Sequence, residues 1–264
     1  MTQTSEISLE KWHEISKEHF SHITPYYDQG RAFEKGQPWV EEIQRHTPVA
    51  TPDWVLDFGC GTGLFATYFA SQMAGHVLGM DPARPMLRQA IRKDHADNLN
   101  WVQGPAEVLP LAEGSLQAIF LSQVWHHLDD QEAAGREFFR CLKPGGGLYI
   151  KTYSHEQLKA RWDLQEIFPE LLPLMLNIYP DLPELSSLLE QIGFSPVTFM
   201  STYQEDYMRP SQMLTLMHDK AWSMFSFLSP AGAAEGEARL NALVAAGDLS
   251  VLYPEVHLLV IARR

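Results

Sequence analysis

From Trp54 onward, short apolar runs alternate with amphipathic stretches, the pattern left by parallel strands joined through crossover helices. Trp54 to Phe58 is predicted as the first strand and Leu64 to about Ala74 as the helix after it. His76 to Met80 predicts a second strand that ends at Asp81. Pro85 then suits the first turn of a helix running to about His95, because a helix start can spare its N–H. Leu99 to Gln103 and Gln117 to Leu121 predict strands three and four, with Gly114-Ser115 turning into the latter. Gln131 to Leu142 reads as a helix that stops at Lys143-Pro144-Gly145-Gly146-Gly147, where proline cannot continue it and glycine accepts left-handed geometry. Leu148 to Tyr153 predicts strand five, Leu182 to Ile192 a helix closed by Gly193, Pro196 to Tyr203 strand six and Glu255 to Ala262 the last strand. The fold class expected is α/β, with a doubly wound, mostly parallel sheet.

Two segments exceed what such a sheet needs. Amphipathic stretches at Leu9 to Phe20 and Trp39 to His46 precede the first strand, and Arg209 to Leu228 and Ala231 to Ala246 read as helices inserted between the last two strands. Insertions of this size serve as lids or binding surfaces, or cover a sheet edge. Residues 1–264 are expected to form one domain, with 1–50 a helical lid segment, 51–153 the binding core and 154–264 a substrate-side half carrying the insertion at about 209–246; 45% hydrophobic residues suit a single core.

Charge narrows the partners. With 33 Asp and Glu against 20 Lys and Arg, the chain carries a formal −13 and has no basic cluster to neutralise phosphates, so a nucleic-acid substrate is not expected. Met1 to Glu10 lacks the pattern of a secretory leader, and no run of about 18 apolar residues appears, which predicts a cytoplasmic protein without a membrane partner. Cys60 and Cys141 form no disulfide framework. His19 and His22 have a spacing that suits a metal on a helix, but no second cluster completes it, and no metal is expected.

The candidate chemistry begins at Asp57-Phe58-Gly59-Cys60-Gly61-Thr62-Gly63. A strand ending in Gly-x-Gly-x-Gly and opening a helix must turn sharply, and it leaves the backbone open to a ligand; a tight connection alone would look similar. Gly63 comes one residue too early for a dinucleotide fingerprint, which argues against NAD. Asp81, at the end of strand two, is placed to accept both hydroxyls of a ribose, and Ala106-Glu107 follow strand three where an adenine would lie. The three sites together describe an adenosine pocket along the carboxyl ends of strands one to three.

On these residues the chain resembles the class I S-adenosylmethionine (SAM)-dependent methyltransferases, of the small-molecule branch related to ubiquinone and menaquinone biosynthesis enzymes. The resemblance runs from about Asp53 to Tyr153 through Val55-Leu56-Asp57-Phe58-Gly59-Cys60-Gly61-Thr62-Gly63, Gly79-Met80-Asp81-Pro82 with Met86-Leu87, Ala106-Glu107-x-Leu109-Pro110 and Leu142-Lys143-Pro144-Gly145-Gly146. It implies a Rossmann-like seven-stranded sheet with an antiparallel last strand, S-adenosyl-L-methionine as cofactor and S-adenosyl-L-homocysteine as product. It further implies that Gly59, Cys60 and Gly61 pass close to the methionine portion, that Asp57 meets its ammonium group through water, and that Asp81 holds the ribose. Pro82 and Met86 would pack on the nucleoside, Ala106 and Glu107 would border the adenine, and Ser122 and Gln123 would reach the methionyl group. Tyr27-Asp28 and Arg31 resemble a Tyr-Asp-x-x-Arg that covers the ligand and meets its carboxylate. Two positions depart from the family. Pro105 stands where many relatives have an Asp for the adenine amino group, and Leu116-Gln117 replaces Phe-Asp at the start of strand four.

Methyl transfer from a sulfonium is a displacement on an activated carbon, so alignment of donor and acceptor is the main requirement. His126 and His127, after strand four, are candidates for a base toward a hydroxyl acceptor, or for the cap of a helix start. Tyr153, Tyr203, Tyr207 and Trp222 are candidates for the acceptor site, or for the packing of the added helices. The expected function is methylation of O, N or C of a small metabolite; a domain that binds SAM without chemistry is the alternative.

Overall fold

A computed structural model of the chain describes residues 9–23, 27–28, 37–93, 96–248 and 254–264. The helices are α1 (Leu9–Ile23), α2 (Gln37–His46), α3 (Leu64–Gln72), α4 (Arg84–Arg92), α5 (Gln131–Cys141), α6 (His155–Ala160), α7 (Leu171–Ile178), α8 (Leu182–Ile192), α9 (Pro210–His218) and α10 (Pro230–Ala245). The strands are β1 (Trp54–Phe58), β2 (His76–Asp81), β3 (Leu99–Gln103), β4 (Leu116–Ser122), β5 (Leu142–Thr152), β6 (Val197–Tyr207) and β7 (Pro254–Arg263). They form one seven-stranded sheet in the order β3-β2-β1-β4-β5-β7-β6. The first five strands pair in parallel and β7 runs antiparallel to β5, as the sequence predicts.

Period-2 alternation sends β-strand side chains to two apolar layers. Leu56, Phe58, Leu78, Met80, Ile119, Leu121, Leu148 and Ile150 face α5 and α8. Val55, Val77, Ala118, Phe120 and Tyr149 face α2 and α3, where Trp39, Ile43, Phe65 and Phe69 complete the layer. Both faces of the central strands are buried, which is why β1 and β4 read as near-continuous apolar runs.

The structure departs from the sequence reading in three places. β5 starts at Leu142, directly after α5, and the Lys143–Gly146 stretch lies in a register shift between Leu116↔Leu142 and Ala118↔Gly147; the predicted turn is thus absorbed into the strand as an irregularity. Between β5 and α8 the chain forms α6, a π-helical turn at Asp163–Ile167 and α7, none of which the periodicity announced. The first predicted inserted helix is broken into α9 and a 3₁₀ turn at Ser223–Phe227.

The chain divides into two compact units. One comprises Phe33–Thr152, Leu182–Thr202 and His257–Arg264 and contains the central sheet; the other comprises Met1–Ala32, Tyr153–Asp181 and Tyr203–Val256 and is mainly helical. In the helical unit Trp12 of α1 stacks on Phe227 with ring centroids 4.5 Å apart. In the sheet unit two glycines are explained by one indole. A Cβ on Gly63 or Gly79 would lie 2.3 Å from the ring of Trp101 on β3. Gly79→Ala is therefore expected to cost about 1–3 kcal/mol by overpacking. Denaturant unfolding of Gly79→Ala, Trp101→Ala and the double variant checks this: the glycine substitution should cost far less once the indole is gone. An equal cost in both backgrounds would remove Trp101 as the reason for the glycine.

Candidate functional site at the carboxyl ends of the strands

The turn after β1 is assembled by backbone geometry and one carboxylate. Gly59, Gly61 and Gly63 have φ of 69°, 56° and 82°, a region that L-residues with a Cβ seldom occupy. Gly59 N–H donates to the Met80 carbonyl at 2.7 Å and Cys60 N–H to the same oxygen at 3.1 Å, which ties the turn to the end of β2. Asp81 completes the tie. Its Oδ2 accepts from Gly61 N–H at 2.8 Å and its Oδ1 from Ala83 N–H at 2.7 Å. A carboxylate has about four acceptor positions, so two remain for ligand hydroxyls. Asp81 is thus a structural member of the glycine turn as well as the predicted ribose acceptor.

Asp57 lies one strand away, on the face toward α3, and is 1% exposed. The Ala66 N–H hydrogen-bonds its carboxyl, yet Oδ2 has no hydrogen-bond partner. Burial raises the Asp57 pKa to about 8, with the neighbouring Asp81 adding to the shift. Burial likewise raises Asp81 to about 6, opposed by its two backbone hydrogen bonds. Burial first, then the charges of Asp57 and Asp81, pushes the Cys60 thiol well up, so Cys60 acts as apolar filling rather than as a nucleophile. Cys60 and Cys141 are both free and buried.

Around this turn the predicted residues fall as follows. Met86 of α4 and Ala106 are buried, Glu107 is half-buried and Pro82 is exposed. The loop from Glu107 toward β4 is held by α5: Leu109 N–H donates to Glu137 Oε2 at 2.8 Å, and Arg140, which donates to Glu137 Oε1 at 2.7 Å, also caps the Leu111 carbonyl at 2.9 Å. At the end of β4 the Ser122 Oγ is buried without a hydrogen-bond partner, and Gln123 adopts a left-handed φ of 57° that costs a non-glycine residue conformational energy. His126 is buried and His127 half-buried in the 3₁₀ turn Trp125–His127, with their rings 4.2 Å apart and tilted by 44°. Trp125 fixes that turn by donating its indole N–H to Gln131 Oε1 at 3.0 Å.

In the helical unit, Tyr153 and Trp222 are brought to one residue that sequence reading missed. The Arg161 guanidinium lies 5.5 Å from the Tyr153 ring centroid and 5.9 Å from that of Trp222. Arg161 is locked in place by two hydrogen bonds to the fully buried Asp163, at 3.0 and 2.6 Å. The Asp163–Ile167 π-turn that presents the acid is the kind of helix defect often found at functional positions. Tyr27 is half-buried, with its ring edge-on to Phe20 at 6.5 Å. Arg31 and the side chains of Tyr203 and Tyr207 lie outside the described residues. His19 Nδ1 lies 3.2 Å from Ser226 Oγ, and the described residues contain no His, Cys, Asp and Glu cluster suited to a metal ion.

A second missed residue is Lys151 of β5, 1% exposed, with its ammonium 5.3 Å from the ring centroids of both Trp39 and Phe65. Lys151 follows the apolar run Leu148-Tyr149-Ile150 at the end of β5, where a lysine ordinarily reaches solvent, so the local sequence did not announce its burial.

An open sheet with a glycine turn after its first strand, latched by an acid on the second, defines the nucleoside-binding α/β class, which binds at the carboxyl ends of the strands. Residues 56–150 match the model of a methyltransferase domain family. A 2-phytyl-1,4-naphtoquinone methyltransferase of Thermosynechococcus vestitus is 29% identical over 201 residues, covering 67% of this chain and 89% of that protein. A demethylmenaquinone methyltransferase of Listeria monocytogenes is 25% identical over 228 residues, 76% of this chain and 93% of that one. A solved methyltransferase from an antibiotic biosynthesis pathway of Anabaena variabilis shares the fold with a TM-score of 0.70 at 19% identity, over 86% of this chain and 96% of that one. Residues 56–150 are similar to that methyltransferase domain, and the chain's activity is SAM-dependent methyl transfer with S-adenosyl-L-methionine as cofactor. Its own residues fit that ligand: buried acceptor atoms of Asp57 and Asp81 suit a cationic nucleoside with ribose hydroxyls and an ammonium group.

Because burial raises both acids, the folded apoprotein keeps protons that the unfolded chain releases near pH 4. Stability should therefore fall as pH rises through the window from about 4 to 8, where the unfolded state binds fewer protons. Urea unfolding of the apoprotein at pH 6 and pH 8.5 reads this, and Asp57→Asn should flatten the slope. A slope that is unchanged in Asp57→Asn would show that Asp57 is not the group responsible.

Proposed function

We propose that the methyl acceptor is a hydroquinone-type aromatic ring, the reduced form of a naphthoquinone. The observation that carries this reading is the pair of relatives named for naphthoquinone and demethylmenaquinone methylation, each matched over most of its own length. Support from this chain comes from the helical unit, where Arg161, Tyr153 and Trp222 present flat π-faces and a guanidinium, the surfaces suited to a fused ring bearing oxygens. The acidic charge of −13 supports a small-molecule acceptor over a nucleic acid.

Bound S-adenosylmethionine supplies an electrophilic methyl group on a sulfonium. The protein's task is then to hold and to orient. In this reading the turn Gly59-Cys60-Gly61, with Ser122 and Gln123, receives the aminoacyl end, and Asp57 lies beneath its ammonium. Asp81 takes the ribose hydroxyls, while Pro82, Met86, Ala106 and Glu107 border the nucleoside. Tyr27 and Arg31 cover it. One of the paired imidazoles, His126 or His127, takes the proton from a ring hydroxyl; the ring carbon then attacks the methyl group as the C–S bond breaks and S-adenosylhomocysteine leaves, and loss of that carbon's hydrogen as a proton, with return of a proton to the oxygen, restores the aromatic hydroquinone. Tyr153, Trp222, Tyr203 and Tyr207 belong to acceptor recognition.

Incubation with SAM and a demethylated naphthoquinol, kept reduced, should yield a product heavier by one methylene together with an equivalent of S-adenosylhomocysteine. His126→Ala or His127→Ala should lower kcat by about 10²–10⁴-fold. Turnover of a phosphorylated amine or an amino acid, with none of any quinol, would contradict the proposal.

A further inference from the structure

We propose that α4 docks the sheet unit on an anionic lipid surface, through Arg84, Arg88 and Arg92 with Ile91 beside them. The inference rests on the hydroquinone reading in one respect: an apolar aromatic acceptor is concentrated in a bilayer, and an enzyme that takes it there gains from contact with that surface.

Arg84, Arg88 and Arg92 are exposed and stand four residues apart along α4. At 3.6 residues per turn they lie within an arc of about 80° and span about 12 Å of helix. Ile91, three residues past Arg88 and seven past Arg84, falls on the same face and is 57% exposed. The opposite face, formed by Met86, Leu87 and Ala90, is buried. In the sequence the arginines form no run, and only the turns of the helix make them a cluster.

Among the described residues nothing neutralises this stripe. α4 contains no Asp or Glu, and none of its three guanidinium groups has an ion pair or hydrogen bond there. Arginines on other helices do have an acid: Arg45 pairs with Glu42, Arg136 with Glu132 and Arg239 with Glu235. Like charges four residues apart destabilise a helix, and Arg84, in the first turn, also opposes the helix dipole. In a chain with 33 acidic residues against 20 basic ones, three arginines together without a carboxylate mark a surface for an external anion. Acids elsewhere on the chain do not prevent the contact, because at 0.1 M salt charges more than about 10 Å apart are largely screened.

Ile91 decides which anion. Lipid phosphates lie directly over acyl chains, so the arginines meet the headgroups while the isoleucine enters the apolar layer. An acidic protein offers the charge without that layer. The contact is peripheral, since no helix among the described residues is long and apolar enough to cross a membrane. The expectation of no membrane partner, drawn from the lack of a spanning run, does not extend to such a contact. Arg84 stands three residues after Asp81, so the docked surface adjoins the nucleoside end of the sheet unit.

Flotation of the full chain with vesicles of phosphatidylglycerol or of phosphatidylcholine, without quinone, tests this. The unaltered protein should float with the first and not with the second, and about 0.5 M salt should release it. The triple variant Arg84→Gln, Arg88→Gln, Arg92→Gln should associate about 100-fold more weakly, roughly fivefold per charge. Ile91→Ser should weaken association without altering its salt dependence. Both variants should keep the unaltered affinity for S-adenosylhomocysteine, which reports that they fold. Equal flotation with both lipids, undiminished flotation of the triple variant, or no flotation of the unaltered protein overturns the proposal. Binding to polyglutamate instead of vesicles, lost in the triple variant, would assign the stripe to an acidic protein and overturn the lipid assignment. Turnover separates the acceptor reading: a soluble naphthoquinol should be methylated equally by the unaltered protein and the triple variant, and no turnover by either defeats that reading while leaving the flotation result to stand.

Discussion

The hydrogen bond from Gly61 N–H to Asp81 Oδ2 is the constraint on which the site depends. It joins the turn after β1 to the end of β2 across one strand spacing, and it orients the three left-handed glycines. With the Met80 carbonyl accepting from Gly59 and Cys60, three N–H groups of the turn are hydrogen-bonded within the protein. A site of this kind is preorganised, because the protein bears the cost of arranging donors and acceptors in folding rather than in binding. That cost is visible in the raised pKa values of Asp57 and Asp81, two carboxyls buried together.

The two units divide the chemistry. The sheet unit supplies fixed strand ends and the acids, rings and lysine around the glycine turn. The helical unit carries a different set: a buried Arg161–Asp163 pair between aromatic faces. Such a buried pair contributes little to stability compared with apolar packing of the same volume, so its value lies in the geometry it imposes. The chain passes from one set to the other at the step from Thr152 to Tyr153, directly after β5.

Much of the sheet unit was legible because its signals are local. The glycine spacing, the acid at the end of β2 and the apolar runs each depend on near neighbours, and the strand number and antiparallel last strand followed from the family resemblance. Trp101 was not legible as the reason for Gly63 and Gly79, because that packing joins three elements distant in sequence. Lys151 passed unnoticed since a lysine at a strand end ordinarily reaches solvent, and only the tertiary positions of Trp39 and Phe65 enclose it. Arg161 and Asp163 lie two residues apart, where helical periodicity gives no hint of a pair; a π-turn begins at Asp163. The segment from His155 to Ile178 was left unassigned because its helices are short and interrupted, and short helices carry weak periodicity.

We propose that Asp81 both builds the glycine turn and serves the nucleoside. The most direct measurement is the affinity of Asp81→Ala for S-adenosylhomocysteine by calorimetry. Loss of the carboxylate removes the Gly61 latch and the ribose acceptor together, so binding should weaken by at least the 1.5–3 kcal/mol, roughly 10- to 100-fold, of a hydrogen bond to a charged group. An affinity equal to that of the unaltered protein would contradict the account.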